Sequence, residues 1–247
     1  MTTLHHSATS PTPWAQRQAG TETVAWAGVQ VIVLGVLECA VGLGTLGWLA
    51  GIAYAVGNQA LLSGAVRRAR SAFGPADRVT SARGLLVGGV TALVADGGHH
   101  TTLLVVLATV ALALDFVDGR VARRTGTASA LGARFDMEVD AFLILVLSVH
   151  VAVTLGPWVM VMGALRYAFV AASWVVPRLR GALPPSQARK VVAAVQGIAL
   201  VVATSDLPPH PTVLVGLALA SLTWSFGRDV AWLWRTAPTA PEGVGHG

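Results

Sequence analysis

Long apolar stretches separated by short polar connections constrain this sequence more than any other feature. A helix needs about 20 consecutive apolar residues to cross a bilayer, and we find eight candidate stretches in the chain. They run over residues 23–41, 48–66, 82–95, 101–123, 136–155, 158–176, 190–204 and 212–234. The third and seventh are short, so we expect them to extend into flanking polar residues. The pattern predicts an all-α, polytopic integral membrane protein with about eight transmembrane helices.

The composition excludes the main alternatives. Hydrophobic residues make up 54% of the 247 residues and charged residues only 12%, whereas a soluble domain carries about 25% charged residues. So few charged side chains cannot cover the surface of a soluble enzyme of this size. An intrinsically disordered chain is excluded as well, because disorder requires low hydrophobicity and high charge.

The positions of arginine and lysine indicate the orientation in the membrane. If the N-terminus is cytosolic, only Arg166 of the 17 basic residues lies near the middle of a span, and all others fall in cytosolic tails or connections or towards the inner ends of the spans. This distribution follows the positive-inside rule. We therefore predict that both termini are cytosolic, in the plasma (inner) membrane. The net charge of +5 then reflects topology and contact with membrane lipids, and no nucleic-acid partner is expected.

Acidic residues are concentrated in one short region. Asp115 and Asp118 are three residues apart at the inner end of the fourth stretch, and Asp136 and Asp140 are four apart at the start of the fifth. Each pair shares a helix face, so four carboxylates can converge at the inner membrane surface. Such a cluster is unfavourable unless cations occupy it. Oxygen ligands suit Mg²⁺ or Mn²⁺, and two ions in one site can clamp a diphosphate.

The residues around these carboxylates form the pattern D-x2-D-G-x2-A-R-x8-G-x3-D-x3-D. Glycines let a ligand approach the backbone closely, and the planar guanidinium of Arg123 suits a phosphate. The fixed positions are Asp115, Asp118, Gly119, Ala122, Arg123, Gly132, Asp136 and Asp140. The pattern resembles the signature of the CDP-alcohol phosphotransferases (CDP-alcohol phosphatidyltransferases).

The resemblance implies a domain organisation and a reaction. A six-helix catalytic core would cover residues 77–235, so residues 23–76 would be two additional N-terminal transmembrane helices. The polar compositions of residues 1–22 and 236–247 predict disordered tails. The reaction implied is the transfer of a phosphoalcohol group, typically phosphatidyl, from a CDP-linked lipid such as CDP-diacylglycerol to an acceptor hydroxyl. CMP would be released, and the product would belong to phospholipid biosynthesis.

The resemblance also implies roles for individual residues. Asp115, Asp118 and Asp136 would be metal ligands, and Asp140 would contact the second metal and act as general base on the acceptor hydroxyl. The pocket for the CDP moiety would be formed by Gly119, Ala122, Arg123 and Gly132.

Basic residues outside the motif are candidates for binding a small polar or phosphorylated alcohol acceptor. We select Arg134, Arg166, Arg189 and Lys190. A charge inside a span needs a partner or water, so Arg166 could instead form an ion pair with Glu38, Asp136 or Asp140.

A second, weaker resemblance lies at residues 76–83 (ADRVTSAR). Family members often carry a Pro-Asn-x-x-Thr-x-x-Arg element before the first core helix. Thr80 and Arg83 fit this element, whereas Ala76 and Asp77 depart from it. We favour a juxtamembrane anchor as the role of Arg83, with a contribution to the site as the alternative.

Two alternative functions are consistent with an acidic cluster in a membrane protein. A membrane prenyltransferase also binds Mg²⁺ and a diphosphate through Asp-rich helices, but it gives no reason for the glycine, alanine and arginine positions of the motif. A cation-binding transporter or inactive scaffold is the other alternative. Transport would be favoured by helices broken within the membrane or by a repeat of the acidic motif, and the sequence has neither. The Gly/Ala-rich spans suit close helix packing and are compatible with a homodimer.

Overall fold

The computed structural model describes residues 13–69, 75–125, 130–181, 186–205, 207 and 209–236. Within these ranges, the side chains of residues 13–23, 65–69, 75–77, 118–125, 130–131, 133–134 and 180 are not described. The described residues are all-helical. The helices are α1 (Pro13–Val41), α2 (Thr45–Ala69), α3 (Pro75–Ala95), α4 (Thr101–Thr125), α5 (Ala130–Leu155), α6 (Met160–Val175), α7 (Gln187–Thr204) and α8 (Pro211–Thr236). Short 3-10 helices lie at Pro157–Val159 and Pro177–Arg180.

The helix boundaries confirm most of the predicted stretches. The expected extension of the third and seventh stretches is confirmed, since α3 begins at Pro75 and α7 at Gln187. One boundary requires a correction: α1 begins at Pro13, so residues 13–22 of the predicted disordered tail are helical. Proline suits the first helical position, and the alanine, glutamine and arginine that follow are good helix formers. Residues 1–12 and 237–247 lie outside the described ranges.

Within the part of the chain that the structure describes, five helices are long and apolar enough to cross a membrane. They cover Val24–Val41, Phe135–Leu155, Pro157–Val175, Gln187–Thr204 and Pro211–Thr236, and a shorter apolar helix covers Thr101–Val117. Large apolar side chains such as Val153 (85% exposed) and Val175 (82% exposed) cover their outer faces. Because exposing such apolar surfaces to water is unfavourable, we expect them to face lipid. The chain is therefore an integral membrane protein, while the total of eight spans and their orientation remain predictions.

The chain forms two compact units, of which the first ends at Val146. In this unit α3 packs against α2 and α4, and α1 packs against both α2 and α3. Glycines on α3 permit this close approach. A Cβ at Gly88 would lie 2.5 Å from the side chain of Gln30, and a Cβ at Gly84 would lie 3.2 Å from that of Asn58. The N-terminal helix pair thus holds α3 directly.

The second unit begins at Leu147. Its α7 packs against α8, where the buried Gln196 donates a hydrogen bond to the Ala218 carbonyl at 2.9 Å. Helix α6 contacts α8, and the rings of Phe169 and Phe226 meet edge to face with centroids 5.1 Å apart. Aromatic pairs of this geometry stabilise helix packing by more than the burial of their apolar surface alone would provide.

Candidate active site: an acidic cluster around Arg83

Two helices of the first unit bring acidic side chains to one point. Asp115 comes from α4, and Asp136 and Asp140 come from successive turns of α5. One carboxylate oxygen of each lies within 4.8 Å of the others. The i, i+4 spacing on α5 explains why its two carboxylates point the same way. The predicted convergence of the two halves of the motif is therefore confirmed for these three aspartates.

Arg83 of α3 lies among the three carboxylates. Its Nη1 donates to Oδ1 of Asp115 at 2.5 Å. Its Nη2 forms a short ion pair with Oδ1 of Asp136, donates to the Asp136 carbonyl at 3.1 Å, and lies 3.3 Å from Oδ1 of Asp140. A planar guanidinium can contact several carboxylates at once because its donors diverge in one plane. Arg83 is therefore the common partner of all three acids.

Burial differs sharply between the partners in this cluster. The Arg83 side chain is 0% exposed, whereas the side chains of Asp115, Asp136 and Asp140 are 40%, 30% and 37% exposed. A fully buried guanidinium requires ion pairs of this kind, because its charge cannot reach water. The carboxylates, by contrast, retain surface that a ligand can reach.

The cluster has the donor set of a divalent-cation site. Three carboxylates and one guanidinium leave two net negative charges. The available ligand atoms are all oxygens, which suit hard cations such as Mg²⁺ or Mn²⁺. Their proximity and partial exposure are consistent with the binding of such an ion. The residues therefore fit the cofactor predicted from the sequence, and the identity and number of ions stay a prediction.

Several predicted site residues fall where side chains are not described. These are Asp118, Gly119, Ala122 and Arg123 on α4, and Arg134 on α5. Gly132 is described and half-buried on α5, one turn before Asp136. Gly132 lies on the same face of α5 as Asp136 and Asp140. Its role in the CDP pocket stays a prediction.

The interpretation of Arg83 as a juxtamembrane anchor is wrong, because its side chain is completely buried among acids. The expected start of the third stretch at Ala82 put Arg83 at a helix end. Since α3 begins at Pro75, Arg83 instead lies more than two turns inside the helix. A basic residue inside an apolar helix needs a partner. The same argument, which we apply to Arg166, therefore predicts an acidic partner for Arg83 once the helix is known to begin before it.

The remaining acceptor candidates lie in the second unit. Arg166 is half-buried on α6, and Lys190 is exposed near the start of α7. Arg189 donates to Oδ2 of Asp229 on α8 at 3.3 Å. Glu38, one of the partners considered for Arg166, accepts a hydrogen bond from Nε1 of Trp48 at 2.9 Å. A role in acceptor binding remains a prediction for these basic residues.

Comparison with known proteins places the chain in a family. The family model described as CDP-alcohol phosphatidyltransferase matches residues 74–227, which is more than half of the chain. The match contains Arg83 and the whole acidic motif, and it leaves α1 and α2 outside. No curated protein and no solved structure matches the chain.

Proposed function

The chain belongs to the CDP-alcohol phosphatidyltransferase family, and on this premise we propose that it transfers a phosphatidyl group from a CDP-linked lipid such as CDP-diacylglycerol to an acceptor hydroxyl. The acceptor is a small polar or phosphorylated alcohol, and the reaction takes place at the cytosolic face of the plasma membrane. The observation that carries this proposal is the convergence of Asp115, Asp136 and Asp140 on one point within the region that the family model matches.

The proposed step is a displacement at phosphorus. The acceptor oxygen attacks the β-phosphate of the CDP-alcohol, the bond between that phosphorus and the bridging oxygen of the diphosphate breaks, and CMP leaves with the bond electrons. Asp140 accepts the proton of the acceptor hydroxyl. Its side chain is 37% exposed, so an acceptor can approach within hydrogen-bond distance, as general base catalysis requires.

Asp115, Asp136 and Asp140, together with Asp118, are the proposed ligands of Mg²⁺ or Mn²⁺. Such an ion, when bound, supplies positive charge that offsets the negative charge of the diphosphate. The chain's own contribution to donor binding is proposed to come from Gly119, Ala122, Arg123 and Gly132. Arg123 can pair with a phosphate, and the small residues leave space beside the backbone.

Acceptor recognition is proposed to depend on basic side chains. The candidates are Arg134, Arg166, Arg189 and Lys190. Arginine binds phosphate oxygens in a bidentate manner and lysine as a point charge. A phosphorylated alcohol would use both modes, whereas a neutral alcohol would use hydrogen bonds alone.

An acceptor panel tests the proposal. Purified full-length protein in Mg²⁺ is given radiolabelled CDP-diacylglycerol with glycerol phosphate, inositol, inositol phosphate or serine. We expect label to move to one acceptor with an equal amount of CMP formed. If no acceptor yields product while a prenyl diphosphate is turned over, the protein is a prenyltransferase and the proposal fails. The family match favours the first outcome.

A further inference from the structure

Among the basic residues whose side chains the structure describes, Arg83 is the buried one, and it lies at the carboxylates. We infer that Arg83 is a positioning residue, an internal counter-cation that holds Asp115, Asp136 and Asp140 together before a divalent ion binds. The inference rests on the proposed function only in expecting a divalent ion at the same carboxylates.

The first step of the argument is electrostatic. The oxygens of three carboxylates within 4.8 Å repel one another, and this repulsion would separate them or force protonation of one. Arg83 contacts all three and is 0% exposed. Its charge is therefore little weakened by solvent, and it offsets part of the repulsion in the absence of metal.

The second step concerns how Arg83 is held in place. The α3 residue that follows it, Gly84, lies against Asn58 of α2, and one turn later Gly88 lies against Gln30 of α1. Gln30 also donates to the Leu85 carbonyl at 3.4 Å. Both N-terminal helices thus contact α3 within the five residues that follow Arg83. A positional role for α1 and α2, which lie outside the family match, follows from these contacts.

The third step connects the same helix pair to α5. Tyr54 of α2 packs against Phe142 with ring centroids 5.1 Å apart, and Phe142 lies two residues after Asp140. Helix α2 therefore touches both α3 beside Arg83 and α5 beside Asp140. The N-terminal pair fixes the arginine and its acidic partners relative to one another.

The test is thermal unfolding of the full chain in detergent, with EDTA or with saturating Mg²⁺. In EDTA, we expect Arg83→Gln to lower Tm by on the order of 10 °C, because a buried ion-pair network loses its cation. Saturating Mg²⁺ should remove most of that difference, since the ion replaces the missing charge. The matched control Arg235→Gln, an exposed residue at the end of α8, should shift Tm little in either condition.

Two further variants separate positioning from packing. Arg83→Lys retains the charge, so its Tm in EDTA should lie between those of wild type and Arg83→Gln. Adding Asp115→Asn to Arg83→Gln should raise Tm in EDTA, because one repelling carboxylate is removed.

The inference would be overturned if Arg83→Gln lowered Tm by the same amount in EDTA and in Mg²⁺. It would also be overturned if the losses of Tm caused by Arg83→Gln and Asp115→Asn added up in the double variant. If Arg83→Gln does not fold, Arg83→Lys decides: a Tm deficit that Mg²⁺ does not reduce counts against it. These Tm measurements need no CDP-alcohol, so the inference can fail or hold independently of the proposed reaction.

Discussion

The two units contain charge clusters of opposite design. In the first, the buried Arg83 contacts three partly exposed carboxylates and leaves two net negative charges. In the second, one acid, Asp229, contacts two arginines: Arg189 at 3.3 Å and Arg228 at 3.4 Å. There the side chains of Arg189 and Arg228 are 29% and 40% exposed, and that of Asp229 is 17% exposed.

Ion pairs of similar length therefore differ in whether the cation or its acidic partners are exposed. In the first cluster the cation is buried and the anions are partly exposed, so the net negative charge is available to a further cation. In the second cluster the cations reach solvent, so water and salt weaken their pairing. The first arrangement has the donor set of a divalent-cation site, and the second offers cationic groups to anions in solvent.

The largest effect is expected from reversing the buried charge. Arg83→Glu would place a fourth carboxylate among three, without a route to water, at a cost of more than about 3–5 kcal/mol. We expect little folded protein, measured as the monodisperse fraction after size-exclusion chromatography in EDTA. The comparison variant is Arg189→Glu in the second cluster, which should still give folded protein. Equal yields from the two variants would show that the clusters do not differ as described.

The next effect concerns metal binding. Asp136→Asn should weaken Mn²⁺ binding by at least about tenfold, because one of the anionic oxygen ligands is lost. Isothermal titration or Mn²⁺ paramagnetic resonance on the purified protein measures it. Glu138→Gln removes a carboxylate from the same helix but outside the converging group, and it should bind Mn²⁺ as wild type does. Equal weakening in both variants would point to general charge instead of a defined site.

A smaller effect is expected in the second cluster. Asp229→Asn removes the shared partner of Arg189 and Arg228, yet both arginines reach water. The free energy of unfolding should fall by about 1 kcal/mol or less, as measured by denaturant titration in a mild detergent. The difference from wild type should shrink further in high salt. A loss of several kcal/mol that does not respond to salt would mean that this cluster resembles the first.

The smallest effect is expected for Arg178, whose guanidinium lies 5.1 Å from the ring centroid of Trp234. At an exposed site such a cation–π contact contributes about 0.5–1 kcal/mol. Arg178→Gln should lower stability by no more than that. Arg178→Lys, which keeps the charge, should recover part of the loss in the same titration. A larger loss for the lysine variant than for the glutamine variant would contradict the assigned contact.

The sequence predicted the helices well because apolar stretches and turn glycines carry strong signals. Gly42, Gly97, Gly98 and Gly156 adopt positive φ, and each lies at a predicted connection. The start of α1 is not predicted by apolar stretches because its first residues are polar, although Pro13 and the residues after it favour a helix.

The candidate site was predictable where helix periodicity decides it. The spacing of Asp136 and Asp140 places them on one face, and the short connection brings Asp115 near them. Arg83 is distant in sequence, and no local rule pairs it with these acids. Its position depends on how α1 and α2 pack against α3 through Gly84 and Gly88, which is a tertiary property. Acceptor recognition is unpredictable for the same reason, since its candidate residues come from separate helices.

The most direct test of the proposed chemistry is CMP release from CDP-diacylglycerol by Asp140→Asn in Mg²⁺. The asparagine keeps the shape of the side chain but cannot accept the acceptor's proton. We predict a fall in turnover of at least about 100-fold with the folded state retained, while Glu138→Gln turns over at close to the wild-type rate. Acceptor-dependent CMP release by Asp140→Asn at the wild-type rate would contradict the account.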